Sequence, residues 1–150
     1  MIKAIAATAA LMTVAGTAQA QELNLALQCD GFGDSDTATF IDRTDGTTPA
    51  IINGSRRTGE RVVIVFDGEA GRVRMPPALQ PNIRGRSEDG WRPLSEIEVS
   101  DDRITARFSF NFIDKPSIRI DRVTGMVEIR GMAFNFQGEC QPYDAEVRRF

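Results

Sequence analysis

Carboxylates are the main reactive groups this chain offers, because it contains no histidine. That absence excludes Ser–His and Cys–His nucleophiles, histidine acid–base chemistry and the commonest zinc sites. Two carboxyl groups facing each other across a cleft would serve glycoside hydrolysis. The candidate pairs are Asp101–Asp102 and Glu88–Asp89, the second beside Trp91, the one tryptophan, whose ring would stack on a sugar. Asp101 and Asp102 read as a hairpin tip in water, and Glu88-Asp89-Gly90 reads as a solvated turn, so no catalytic residue is assigned. Asp30, Asp34 and Asp36 raise the question of calcium. Their spacing does not match the EF-hand loop and no glutamate stands at the closing position. The expected structure from Asp30 to Asp36 is a glycine-rich turn whose aspartates bond local backbone. Gly31-Phe32-Gly33 lacks the spacing and the following helix that a phosphate cradle needs. Neither a metal nor a cofactor is expected.

A contact surface is the other possibility. From Met75 to Pro93 the chain carries Pro76, Pro77, Pro81 and Pro93, which exclude a regular helix or central strand through most of it. Arg84, Arg86, Trp91 and Arg92 lie in this segment, and arginine and tryptophan are favoured interface anchors. These four are the candidate binding residues. The competing reading has Leu79, Ile83 and Trp91 folding back to plug one end of the core.

The elements that must position these groups follow a leader. Lys3, the apolar run Ile5 to Val14, Gly16 and the small-x-small pattern Ala18-Gln19-Ala20 read as a cleaved signal peptide over residues 1–20. The run is too short to span a membrane as a helix, which takes about 20 residues. Cys29 lies too far past the cleavage site to carry a lipid. Residues 21–150 are then one domain, expected periplasmic or secreted. Removing Lys3 from 18 basic residues leaves 17 against 21 acidic ones, a net charge of −4. That balance argues against nucleic acid as a partner. In an oxidising compartment the only two cysteines, Cys29 and Cys140, should form one bridge.

Period-two alternation dominates the domain. Leu23, Leu25, Leu27 and Cys29 make one apolar face. Thr37 to Ile41 and Ala50 to Asn53 read as short strands, the second ended by the turn signal Asn53-Gly54, with Arg56 and Arg57 in a loop beyond. The run Val62 to Phe66 reads as a strand buried on both sides, and Arg72 to Met75 as its return with Val73 inward. A turn at Asp101-Asp102 would pair Val99 with Ile104 and Ile97 with Ala106, and set Glu96 against Arg107. Ile104, Ala106, Phe108, Phe110 and Phe112 share one face, so the three phenylalanines should form the largest block of core. In the next hairpin, Ile120 against Val127 sets Arg119 against Glu128, whereas the other register opposes like charges. Phe134, Phe136, Gly138 and Cys140 close the pattern, and a loose helical turn could follow from Gln141.

Cys29 and Cys140 both fall on the apolar phase of their strands. The fold expected is all-β: an antiparallel meander closed as a small barrel or compact sandwich, one core disulfide joining the first and last strands. The pattern Ile120-Asp121-Arg122-x-Thr124-Gly125, then Phe136-x-Gly138-x-Cys140, resembles the C-terminal end of small exported bacterial β proteins. The resemblance implies a periplasmic β domain and brings no activity with it. Three functions remain open. The first is a non-enzymatic module binding a periplasmic protein or an envelope component. The second is a lipocalin-like carrier of a small molecule, and the third a carboxylate-based glycan hydrolase.

Overall fold

The computed structural model describes residues 23–41, 50–81 and 89–144, without the side chains of 37–41 and 50–53. Nine antiparallel strands form one sheet: β1 (Asn24–Ile41), β2 (Ala50–Asp67), β3 (Ala70–Arg74), β4 (Trp91–Pro93), β5 (Ser95–Val99), β6 (Arg103–Arg107), β7 (Ser117–Asp121), β8 (Met126–Arg130) and β9 (Phe134–Pro142). Their order across the sheet is β4-β3-β2-β1-β9-β8-β7-β6-β5. Every neighbour in that order is also a neighbour in sequence except β1 and β9. The protein is therefore two meanders sewn together along a single seam.

The two outer strands, β4 and β5, are separated only by Leu94, whose N–H bonds Gly71 O at 2.8 Å. β4 pairs with β3 while β5 pairs with β6. One bent stretch thus meets both ends of the sheet and rolls it into a nearly closed barrel. The bend coincides with a register irregularity between Ser95 and Glu98, where Glu96 takes a φ of 50°. Rolling the sheet this way leaves almost no edge exposed in the barrel body.

The barrel interior is filled by side chains from every layer. Phe66, Phe108, Phe136, Ile64, Met75 and Ile104 are fully buried, and Phe110 packs edge-on between Phe108 and Phe134 with ring centroids 5.2 and 5.9 Å away. Leu79, on a single 3-10 turn (Pro77–Leu79), closes one end over Gly33. That placement matches the plug expected of Leu79; Ile83 lies outside the described residues. Outward positions carry Arg61, Arg72, Arg74, Arg103, Arg107, Arg119 and Arg130. Charged-out and apolar-in is the reverse of a membrane-spanning barrel. No helix among the described residues is long and apolar enough to cross a membrane.

The disulfide forms between Cys29 and Cys140, which face each other directly in the β1–β9 ladder with Cα atoms 3.9 Å apart. Cys29 is wholly buried and Cys140 half-buried. Several expected registers are present: Val99 opposite Ile104, Ile120 opposite Val127 and Arg119 opposite Glu128. Glu96 reaches Arg107 at 3.3 Å as an ion pair, although the bulge sets Ser95 opposite Arg107.

Five expectations are corrected. Asp30 to Asp36 is not a turn; it is the middle of the 18-residue β1. Gly31 and Gly33 take the inward positions after Leu27 and Cys29, where backbone and Leu79 leave no room for a side chain, so the alternation continues through glycine. Asn53-Gly54 is likewise no turn, and Arg56 and Arg57 are in no loop: β2 runs unbroken across them, paired with β1. The run Val62 to Phe66 is buried on one side only, with Val63 and Val65 half-exposed on the outer face. Finally, Phe112 is not core. β6 ends at Arg107, Phe108 and Phe110 stay inward through bonds from their N–H groups to Pro116 O and Asp114 O, and Phe112 is 86% exposed. The chain from Gln141 continues as strand to Pro142 rather than as helix.

Candidate functional site

The structure divides the four candidate binding residues. Arg84 and Arg86 lie outside the described residues. Trp91 and Arg92 are successive residues of β4, so they point to opposite faces of the sheet. Trp91 is half-buried on the outer face and Arg92 points inward, opposite the buried Val73.

Local geometry fixes Trp91. The Asp89 carboxylate accepts the Trp91 N–H at 3.1 Å, and Asp89 O accepts from Arg74 Nε at 3.2 Å. Gly90 follows with a φ of 74°, and its O accepts the Met75 N–H at 2.9 Å. A Cβ at Gly90 would stand 2.5 Å from Met75 O, so only glycine makes this entry into β4. Gln80, itself buried, donates to the same Met75 O at 2.9 Å. The irregular segment is thus folded onto the barrel at both of its described ends.

On the outer face the ladder places Val63, Arg74 and Trp91 in one row, and Val65, Arg72 and Pro93 in the next. The Arg72 guanidinium lies 4.5 Å over the Trp91 ring, a cation–π contact. Arg72 and Arg74 are exposed, and neither is within ion-pair distance of a carboxylate among the described residues. The result is an aromatic ring bracketed by two guanidinium groups, over two half-exposed valines. The sequence reading missed Arg72 and Arg74 as partners of Trp91. Their outward phase was legible from the inward Val73, but their register against Trp91 was not.

Inside, the Arg92 guanidinium lies 5.5 Å from the Phe110 ring centroid, and its Nε and Nη2 are buried without a hydrogen-bond partner. Gln80 Oε1 is similarly unpaired. A buried unpaired donor costs about 1–3 kcal/mol, more than one cation–π contact returns at a partly exposed site. Arg92→Met keeps the length and removes the charge. It is expected to stabilise the fold by about 1 kcal/mol, read as a higher urea midpoint at unchanged slope. A lower midpoint would show that the guanidinium is held by favourable contacts.

The carboxylates whose pKa departs from the ordinary value are shifted downward. Asp102 accepts the Ser100 hydroxyl at 2.8 Å, and that bond holds its carboxyl below the usual range. Asp121 accepts the N–H groups of Thr124 at 2.8 Å and Val123 at 2.9 Å, which likewise lowers its pKa and fixes the β7–β8 turn. Asp30 is lowered by its 2.6 Å bond from Arg61 Nε. A glycosidase acid needs the opposite shift. Asp89 is committed to the Trp91 turn, and Glu88 lies outside the described residues. No group of three or more acidic or cysteine side chains among the described residues is placed to hold a metal. At the barrel end where β1 starts, a crevice of about 530 Å³ is lined by Leu23, Glu69, Ile97, Asp101 and Arg122. Arg122 is occupied there in donating to Ser100 O at 2.6 Å. Comparison with protein-family models, with curated proteins and with solved structures gave no match in any of the three.

Proposed function

We propose that this protein is a non-enzymatic binding module of the periplasm or the extracellular space, and that it holds an acidic segment of a partner protein on the outer face of β2, β3 and β4. The observation that carries this reading is the Arg72–Trp91 stack with Arg74 beside it, two exposed cations that form no ion pair among the described residues. An acidic segment lying across β3 and β4 would meet guanidinium forks in place of water, with the indole as its apolar floor. The leader, the core disulfide and the charged outer surface support an extracytoplasmic site of action. The packed interior supports surface binding over a carrier role, because Phe66, Phe108, Phe110 and Phe136 occupy the space a ligand would take. Asp30, Asp102 and Asp121 are lowered, the opposite of what a hydrolase's general acid needs, which weighs against that reading.

Trp91 is the only tryptophan, so its fluorescence reports this face alone. Titrating the oxidised mature chain with an oligoglutamate peptide is expected to give a saturable emission change that weakens as salt is added. Reversing both charges in R72E/R74E should abolish it. An emission that stays constant through the titration, or a response equal in R72E/R74E, would overturn the reading.

A further inference from the structure

We propose that the turns at 108–116 and 131–133 form a bilayer-contacting tip, which seats Phe112, Ile113 and Met132 among the headgroups of a lipid membrane. This goes beyond the acidic-partner reading and uses none of its residues. The three side chains are 86%, 60% and 67% exposed, on two turns joined by the bond from Met132 N to Asp114 Oδ1 at 3.2 Å. Their exposure is built into the fold. Asn111 Oδ1 accepts the N–H groups of Ile113 and Asp114, each at 2.8 Å, and the Ser109 hydroxyl donates to Asn111 O. Phe110 bonds Asp114 O through its N–H at 3.0 Å while its ring stays locked between Phe108 and Phe134. The turn is therefore rigid, and it points its apolar residues away from a core that has already taken Phe108 and Phe110.

Two properties favour a lipid surface over a protein. The first is size: three such side chains expose roughly 400 Å², about half of what each partner brings to a stable protein interface. A residue 86% exposed also stands proud of the surface, whereas a protein partner would need a matching hollow. A bilayer needs none. The second is that backbone N–H groups at the tip, those of Ile113, Asp114 and Met132, already have partners, so entering a water-poor layer leaves them satisfied. Lys115, exposed beside the tip, is not in ion-pair distance of a carboxylate among the described residues, and it would meet anionic headgroups.

The test is flotation of the oxidised mature chain with vesicles of phosphatidylcholine and phosphatidylglycerol. The wild-type protein is expected in the floating fraction. F112S/I113S/M132S should lose roughly tenfold or more of that binding, as expected when apolar contact dominates, while its thermal midpoint holds, since none of the three is core. Wild-type protein that stays in the dense fraction would overturn the proposal. So would a triple variant that floats like the wild type. A wild-type dimer that the triple variant dissolves would overturn it too, by assigning the tip to a second copy of the chain.

Discussion

Replacing both cysteines in C29A/C140A is expected to lower the stability of the domain by about 4 kcal/mol, near the chain-entropy value for a loop of this length. The bridge spans 111 residues of sequence. It also lies on the one seam of the barrel that joins strands distant in the chain. All the other ladders pair strands consecutive in the chain, so the unfolded chain finds them over shorter separations. The β1–β9 ladder, from Leu27 opposite Pro142 to Ser35 opposite Phe134, must be found across nearly the whole domain. A covalent link there removes most of that search. The native ladder itself loses little when the sulfurs go, because its backbone bonds remain. The loss should therefore appear as a lower urea midpoint for C29A/C140A, and the wild-type protein under reductant should show the same shift. A change under about 1 kcal/mol would mean that the unfolded chain already holds its two ends together. The effect matters because a domain of this size has only about 5–15 kcal/mol of stability in total.

How far the sequence could be read varied along the chain, for physical reasons. Hairpins with short turns and charged outer faces were legible in detail. Arg119 against Glu128 fixed the register of β7 with β8 because the alternative opposed like charges, and the structure has that register. The Asp121 carboxylate caps the turn of that hairpin. The bridge followed from the cysteine pair in an exported chain, and its inward phase pointed to a barrel or a compact sandwich, of which the structure has the nearly closed barrel. The long ribbon of β1 and β2 did not. Its inward positions at Gly31 and Gly33 lack side chains, and Phe32 is 55% exposed with Arg57 over its ring at 4.9 Å. Alternation of hydrophobicity disappears there although alternation of direction persists. Phe112 misled in the other sense: its phase matched Phe108 and Phe110, but the strand ended before it. The candidate site was half legible. Trp91 was singled out by its type, while Arg72 and Arg74 were placed beside it by a ladder that crosses an irregular segment and has no local sequence signal.

Glycine-to-alanine substitutions within that ribbon should have opposite signs at two positions, and the contrast tests the seam independently of the cysteines. Gly31 and Gly138 face each other in the β1–β9 ladder, two residues from the disulfide on each strand. A Cβ on Gly31 would run into Gln137 O and Gly138 Cα, and one on Gly138 would stand 2.6 Å from Asp30 O. These obstacles are backbone atoms of a paired strand, which cannot swing aside as a side chain would. G31A must therefore push β1 and β9 apart, and is expected to cost about 3 kcal/mol, the upper end of ordinary overpacking. Gly59 lies on β2 opposite Phe32, and a Cβ there meets nothing within 4 Å. G59A removes backbone freedom from the unfolded chain without a clash, and should be neutral or stabilise by about 0.5 kcal/mol. Thermal and urea midpoints of the two variants decide the point; equal midpoints would mean that β1 and β9 do not approach so closely. The seam also predicts coupling. Gly31 and the bridge act on the same few residues of ladder, so G31A in the C29A/C140A background should depart from additivity by more than about 0.5 kcal/mol. G59A, away from the seam, should simply add.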